Sequence, residues 1–398
     1  MKTFQVFAIA LVLVFTASPA LSQTAPVVSN VLGVQRAGTK LVDITYDLAD
    51  TDSAELYVTL QISSDAGSTW TVPATSATGQ IGAGIPPGSG RAIVWNAGTN
   101  WNNLLSTTMR YRITADDGFT GMELIPEGSF TMGRTSGDAD TNAPPVSVYI
   151  SAFYMANYEV TRALWSEVRT WGLDNGYTDI QAGAGKAANH PVHSISWYDM
   201  VKWCNARSQK EGLTPCYTVS SVTYKTGDSD AVVCNWSASG YRLPTEAEWE
   251  KAARGGVSGQ RFPWGDTISH SQANYFSSAN SITYIYDVSP TRGDAPTYGR
   301  GASPVGSFAA NGYGLYDMAG NIMERCWDWY LDSYYTDGLS DTRGPASGSP
   351  RVVRGGAWGT YAFTCRTVDR NGGAPSGANG YNNIGFRPAR SSVPQQIE

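Results

Sequence analysis

Five cysteines and a few well-spaced carboxylates are the side chains of this 398-residue chain best suited to chemistry. The thiols are Cys204, Cys216, Cys234, Cys326 and Cys365, and in an oxidising compartment an odd count leaves at least one unpaired. Cys216 and Cys234 bracket Tyr217 to Val233, which reads as a strand, a polar Lys225-Thr226-Gly227-Asp228 turn and a returning strand. A structural disulfide closing that excursion is expected. Cys204 falls on a helical face and reads as a buried free thiol. Cys326 and Cys365 are then the thiols left for function. Asp317 and Glu324 stand seven apart, a spacing that in a helix would put both on one solvated face. His190 and His193 share a His-Pro-Val-His segment, and His270 is isolated. No Ser-His-Asp order, Gly-x-Ser-x-Gly elbow or phosphate loop is present. Glu246 and Glu248 face different sides of one helix and serve its start rather than acid–base work.

That helix is announced by Arg242-Leu243-Pro244-Thr245-Glu246-Ala247-Glu248. Thr245 caps the first amides, Glu248 reaches back to the Thr245 amide, and Pro244 holds its predecessor extended. Gly255-Gly256 supplies a left-handed stop. Two further helices are expected: Arg162 to Trp171, capped by Thr161 and ended by Gly172, and Trp197 to Lys210, capped by Ser196 with Asp199 and closed by Gly212. Between the helices run long connections, notably Thr267 to Ser307 and Ser333 to Pro350. Loops of that length need something to hold them, and bound ions are one candidate.

Upstream the texture differs. Val42, Ile44, Tyr46 and Leu48 alternate with polar neighbours, as do Leu56, Val58, Leu60 and Ile62, and Met109, Tyr111 and Ile113 close the pattern. This reads as a small all-β sandwich over 23–117, similar in pattern to immunoglobulin-like or fibronectin-like modules. It is expected to follow a leader over 1–22, in which Lys2, the apolar run Phe4 to Phe15 and Ala20-Leu21-Ser22 read as a signal peptide. A larger domain over 118–391 and a tail over 392–398 complete the chain. Net charge is −6, without a basic cluster, which argues against nucleic acid or an anionic membrane as the main partner. No second apolar run supports membrane insertion. With 13 Trp, 22 Tyr and 43 Gly, the larger domain is expected to be loop-rich and held by aromatic packing.

The larger domain also carries Phe262-Pro263-Trp264-Gly265, Asn311-Gly312-Tyr313-Gly314-Leu315-Tyr316-Asp317-Met318-Ala319-Gly320-Asn321, Arg354-Gly355-Gly356-Ala357-Trp358 and Gly385-Phe386-Arg387. With the Thr245 helix, and in that order, this set resembles the formylglycine-generating enzyme family, also called sulfatase-modifying factors, from about Met122 to Arg390. The resemblance implies an α+β fold, an irregular domain related to C-type lectins, with bound calcium. It implies one calcium set of Asp317 and Glu324 with the carbonyls of Gly320 and Ile322, and a second of Asn274, the Tyr275 carbonyl and Asp287. Family catalysis uses two cysteines five apart, after an Arg-Gly-Gly-Ser segment. They bind copper(I) as thiolates and engage a substrate cysteine, which dioxygen oxidises to formylglycine. Here Ala357 stands for the serine, one cysteine position falls on or near Thr360, and Cys365 remains. A single thiol does not supply a two-thiolate copper site. Cys326 offers a second thiol, either bonded to Cys365 or forming a thiolate pair with it. Met323 and Arg325 occupy positions where the family carries tryptophan.

The resulting expectation is a secreted or periplasmic protein, with structural calcium and without copper, whose large domain binds a protein or glycan. Nothing in the sequence sets its oligomeric state. The rival reading is a formylglycine-generating oxidase with an altered thiol site, and a third is a matrix component in which both domains are structural.

Overall fold

The computed structural model describes residues 26–51, 56–68, 70, 72–102, 104, 106–116, 121–135, 138, 143–278, 284–376 and 381–392. The expected leader over 1–22 lies outside them, as does the tail beyond 392. The chain divides into two compact units, Met1–Asp117 and Gly118–Glu398.

The first unit follows from period-two alternation. Along Leu41–Ala49 every second side chain is buried, so the strand has one apolar face to cover. One sheet runs in the order Val27–Gln35, Leu41–Ala49, Gly88–Asn96, Thr78–Gly79, and the other in the order Gly82–Ile85, Leu56–Ser63, Arg110–Asp116. Both are antiparallel. Their inward faces meet in one core around Ile44, Tyr46, Val58, Ile62, Ile93 and Trp95. This is an all-β sandwich.

The second unit is an irregular α+β domain of short strands and a few helices. Thr161, Ser196 and Thr245 cap the helices Arg162–Asp174, Trp197–Lys210 and Glu246–Ala253, the latter two with full capping boxes. Gly172 does not end the first helix. It lies inside, buried, where a Cβ would meet the Ala206 and Tyr177 β-carbons at 3.4 Å, so its smallness lets neighbouring elements approach.

The Tyr217–Val233 excursion also departs from expectation. Tyr217–Val219 turns at once into Val222–Thr223, because Ser220 and Ser221 both take left-handed φ (49° and 64°), as a two-residue hairpin requires. Val233–Cys234 returns along the other side of Tyr217–Val219. Asp317 and Glu324 share no helix either: Asp317 has φ of 56°, and Glu324 belongs to the strand Met323–Trp329.

That strand lies in a sheet ordered Asn371–Gly373, Arg351–Arg354, Met323–Trp329, Ile384–Gly385. The helix Glu246–Ala253 fixes it in place. Glu246 binds Arg370 at 2.6 and 2.9 Å, Glu250 binds Arg354 at 2.6 Å and Arg254 at 2.7 Å, and Glu248 binds Arg242 through two 2.7 Å contacts. The Glu246 and Glu250 pairs are buried with good geometry, and removing one partner would strand the other charge. Among the described residues no helix is long and apolar enough to cross a membrane.

Candidate functional site

The strand Arg351–Arg354 delivers the chain into Gly355 and Gly356, whose φ values of 91° and 69° turn it sharply. The turn must be tight because the 3-10 helix Ala362–Cys365 lies directly on it. A Cβ on Gly356 would stand 2.6 Å from the Cys365 sulfur. Ala357, in the family's serine position, is buried without a hydroxyl. Thr360 is fully engaged: its hydroxyl accepts from the Ala357 amide at 2.8 Å and from the Thr364 hydroxyl at 2.7 Å, and donates to the Ala357 carbonyl at 3.1 Å. Cys365 packs among Phe262, Ile268, Ala273 and Tyr275. Burial pushes its thiol up to about 12, so it stays protonated at neutral pH.

Cys326 is placed elsewhere. It belongs to the apolar cluster of Trp249, Leu315 and Val352, and its carbonyl accepts from the Trp197 indole at 3.1 Å. Burial raises its thiol well above the ordinary value. Cys326 and Cys365 therefore sit in separate cores, both as free thiols, and neither the expected bridge nor the thiolate pair is formed. Cys216 and Cys234 are also free thiols in this structure, although they are neighbours: Tyr217, next to Cys216 in the chain, pairs in register with Cys234. Proximity to the Cys234 thiol is the main reason the Cys216 pKa is lowered. Cys204 is buried, and burial raises its thiol.

Aromatic side chains cover the outer surface of the Cys365 turn. Tyr361 is 39% exposed, stacks on Phe363 at 5.8 Å and meets Phe276 edge-on at 5.9 Å. Phe276 and Tyr361 are joined by a backbone bridge, with the Phe276 amide bonded to the Thr360 carbonyl at 2.9 Å. Sequence reading missed this group, because Phe276 is 85 residues from Tyr361 and shares no spacing with it.

A carboxylate cluster is bonded to the same turn. The Gly320 amide donates to the Gly355 carbonyl at 2.7 Å, and the Trp358 amide donates to the Asn321 carbonyl at 2.9 Å. Asp317, at the head of this loop, is buried, and that burial raises its carboxyl to about 6. One oxygen accepts from the Gly306 amide at 2.6 Å, and the other, Oδ1, has no hydrogen-bond partner. That open oxygen fits a cation ligand. Glu324 fits less well, because the Arg387 guanidinium (2.6 and 2.7 Å) and the Trp249 indole (2.7 Å) already occupy both its oxygens. Sequence reading missed Glu159, which is buried beside Asp317. Desolvation, then the Asp317 charge, raises its carboxyl well above the usual range.

The second expected calcium set does not fit a cation. Asp287 accepts from the Tyr275 hydroxyl at 2.6 Å, the Ser277 hydroxyl at 2.7 Å and the Ser289 amide at 3.1 Å, with Arg292 at 3.3 Å. The Tyr275 carbonyl accepts a hydrogen bond from His270 Nε2 at 3.1 Å, leaving Nδ1 to accept from the Ser289 hydroxyl at 2.9 Å. These oxygens are occupied by protein donors. The Asn274 side chain donates to the Gly301 carbonyl at 3.0 Å, and its backbone carbonyl accepts from the Asn321 amide of the Asp317 loop at 2.8 Å. Among the described residues no three His, Cys, Asp or Glu side chains converge on a metal position.

Comparison with known proteins supplies the context. Residues 113–392 match the sulfatase-modifying factor enzyme 1-like domain family. The chain is similar to the formylglycine-generating enzyme of Bos taurus, at 33% identity over 298 residues, covering 69% of this chain and 76% of that protein. It is similar also to chaperone protein LppX of Paenibacillus barcinonensis, at 34% identity over 248 residues, covering 59% of this chain and 77% of that protein. Among solved structures, Treponema denticola variable protein 1 matches with a TM-score of 0.52 and 29% identity, covering 70% of this chain and 96% of that one. The large domain thus has the C-type-lectin-like α+β fold expected from the sequence.

Proposed function

The chain belongs to the sulfatase-modifying factor enzyme 1-like family, and on that premise we propose that its large domain binds a protein or glycan ligand without copper oxidase activity. One observation carries this reading: the only cysteine after Gly356 is a buried, protonated thiol, and five residues before it stands a threonine with its hydroxyl engaged. Copper(I) chemistry requires two convergent thiolates, and Cys326 belongs to another core. The Phe276–Tyr361–Phe363 group supports a contact role, since exposed tyrosine on a fixed backbone gives large contact area at low entropic cost. Similarity to a protein described as a chaperone agrees with a binding role. The Lys2, Phe4–Phe15 and Ala20-Leu21-Ser22 pattern supports export.

The rival reading, a formylglycine-generating oxidase, draws on the similarity to an enzyme of that name. Incubating the full chain with copper(I), dioxygen and a Cys-x-Pro-x-Arg peptide, then following the peptide by mass spectrometry, separates the two. The binding reading expects the peptide thiol to persist. Copper-dependent loss of that thiol, abolished by Cys365→Ala, overturns it.

A further inference from the structure

We propose that Asp328 and Tyr335 form a proton-held latch, in which a proton on Asp328 keeps Tyr335 closed against a small cavity and loss of that proton frees the ring.

Three oxygens here compete for too few protons. The Tyr335 hydroxyl lies 3.0 Å from Glu246 Oε2 and 3.1 Å from Asp328 Oδ1. It has one proton, so it donates to one of these carboxyl groups and accepts from the other. Glu246 is the charged member: Arg370 holds its two oxygens at 2.6 and 2.9 Å, and Arg354 adds a contact at 3.3 Å. Asp328 has no ion-pair partner among the described residues, and its Oδ2 accepts from the Glu246 amide at 2.8 Å. The second proton therefore belongs on Asp328 Oδ1, which donates to Tyr335 while Tyr335 donates to Glu246.

The surroundings favour the same state. Asp328 is wholly buried, and it faces Glu246 and Glu248 on the helix Glu246–Ala253, Cys326 on its own strand and Arg351 on the neighbouring one. Arg351 makes no ion pair with it, since that guanidinium is stacked on Trp329 at 3.4 Å and on Trp197 at 3.7 Å. Burial first, then the Glu246 charge, raises the Asp328 carboxyl to about 7. Gly344 closes another side, where a Cβ would stand 2.7 Å from Asp328 Oδ1. A carboxylate formed here has no room for water until a neighbour moves, and keeping it dry and unpaired is costly.

Tyr335 is the neighbour free to move. It lines the cavity with Met132, Ala143, Pro144, Val146 and Arg370. The chain on either side is fixed independently, by Arg370 on the Leu331 and Asp332 carbonyls and by Leu339–Ser340 pairing with Val146–Ile150. Once Asp328 ionises, the single phenolic proton serves one carboxylate and the other faces a bare oxygen. The ring then leaves, and water enters through the cavity.

The test uses the full chain and reads the ring itself, so it is independent of whether the domain oxidises or binds anything. Hydroxyl-radical footprinting at pH 6 and pH 8.5 measures oxidation of Tyr335, with the wholly buried Tyr217 as internal reference. For a carboxyl near pH 7 the ionised fraction rises roughly tenfold over that interval, and Tyr335 oxidation in wild type is expected to rise at least about threefold. Asp328→Asn supplies a permanent donor to Tyr335 and keeps an oxygen for the Glu246 amide, so its ring is expected to stay protected at both pH values. A second measurement needs no variant to fold: the infrared difference spectrum of wild type between the two pH values is expected to show loss of a protonated-carboxyl band, and Asp328→Asn is expected to lack that change. Constant Tyr335 oxidation in wild type, the same rise in Asp328→Asn, or no carboxyl band lost from wild type each overturns the latch.

Discussion

Gly356 and Cys365 are in van der Waals register across the turn that carries the family's catalytic segment: a Cβ on Gly356 would lie 2.6 Å from the cysteine sulfur and 3.0 Å from its amide nitrogen. The contact packs the thiol into the Phe262–Tyr275 core and leaves the aromatic side chains to face outward.

Replacing Gly356 with alanine strains the backbone at φ of 69° and forces the 3-10 helix away. A loss of about 1–3 kcal/mol is expected in urea unfolding. Adding Cys365→Ala relieves the clash with the sulfur but not the 3.0 Å approaches to the Cys365 amide nitrogen and Thr364 carbonyl carbon, nor the strain at positive φ. A change below about 0.5 kcal/mol for the single variant counts against this packing.

The Cys365 thiol is held protonated by burial, with a pKa pushed up to about 12. At pH 8 only about one part in ten thousand is thiolate. Iodoacetamide is therefore expected to leave Cys365 unmodified in native protein and to label it fully in denaturant. Rapid native labelling, read by peptide mass mapping, would restore the thiol as a reactive group.

Asp328 gives a pH signature. Burial first, then the neighbouring Glu246 charge, raises its carboxyl to about 7. The folded state then holds a proton that the unfolded state releases from about pH 4 upward, so the group's penalty grows through that window and is complete above about pH 7. Asp328→Asn is expected to lose less stability than wild type between pH 5 and pH 8. Parallel denaturation midpoints for the two proteins across that range would exclude this role.

Cys216 and Cys234 are brought near each other by paired strands, with Tyr217 in register with Cys234. In protein recovered from an oxidising compartment they should form an intrachain disulfide, worth about 3 kcal/mol for a loop of this length. Non-reducing peptide mapping decides it, and recovery of both peptides as free thiols rejects the bridge.

Much of the fold was legible because its signals are local. Thr161, Ser196 and Thr245 each cap the amide three residues on, and alternation along Leu41–Ala49 needs nothing beyond the strand itself. The loss of a second thiol near Thr360 was equally plain from residue identity.

The site depended on partners far away in the chain. Glu324 carries the motif, but its lone pairs go to Arg387, 63 residues on, and to Trp249, 75 residues back. Asp287 is consumed by Tyr275 and Ser277, which no spacing rule connects to it. Glu159 reaches Asn321 across 162 residues, and Cys326 faces a different core from Cys365. Sequence alone determined which residue types exist and which short segments they shape, because capping and periodicity act over a few bonds. Only the tertiary structure decided which carboxylates keep free oxygens, because each charge pairs with whichever donor the folded chain brings nearest, and burial then makes that choice costly to reverse.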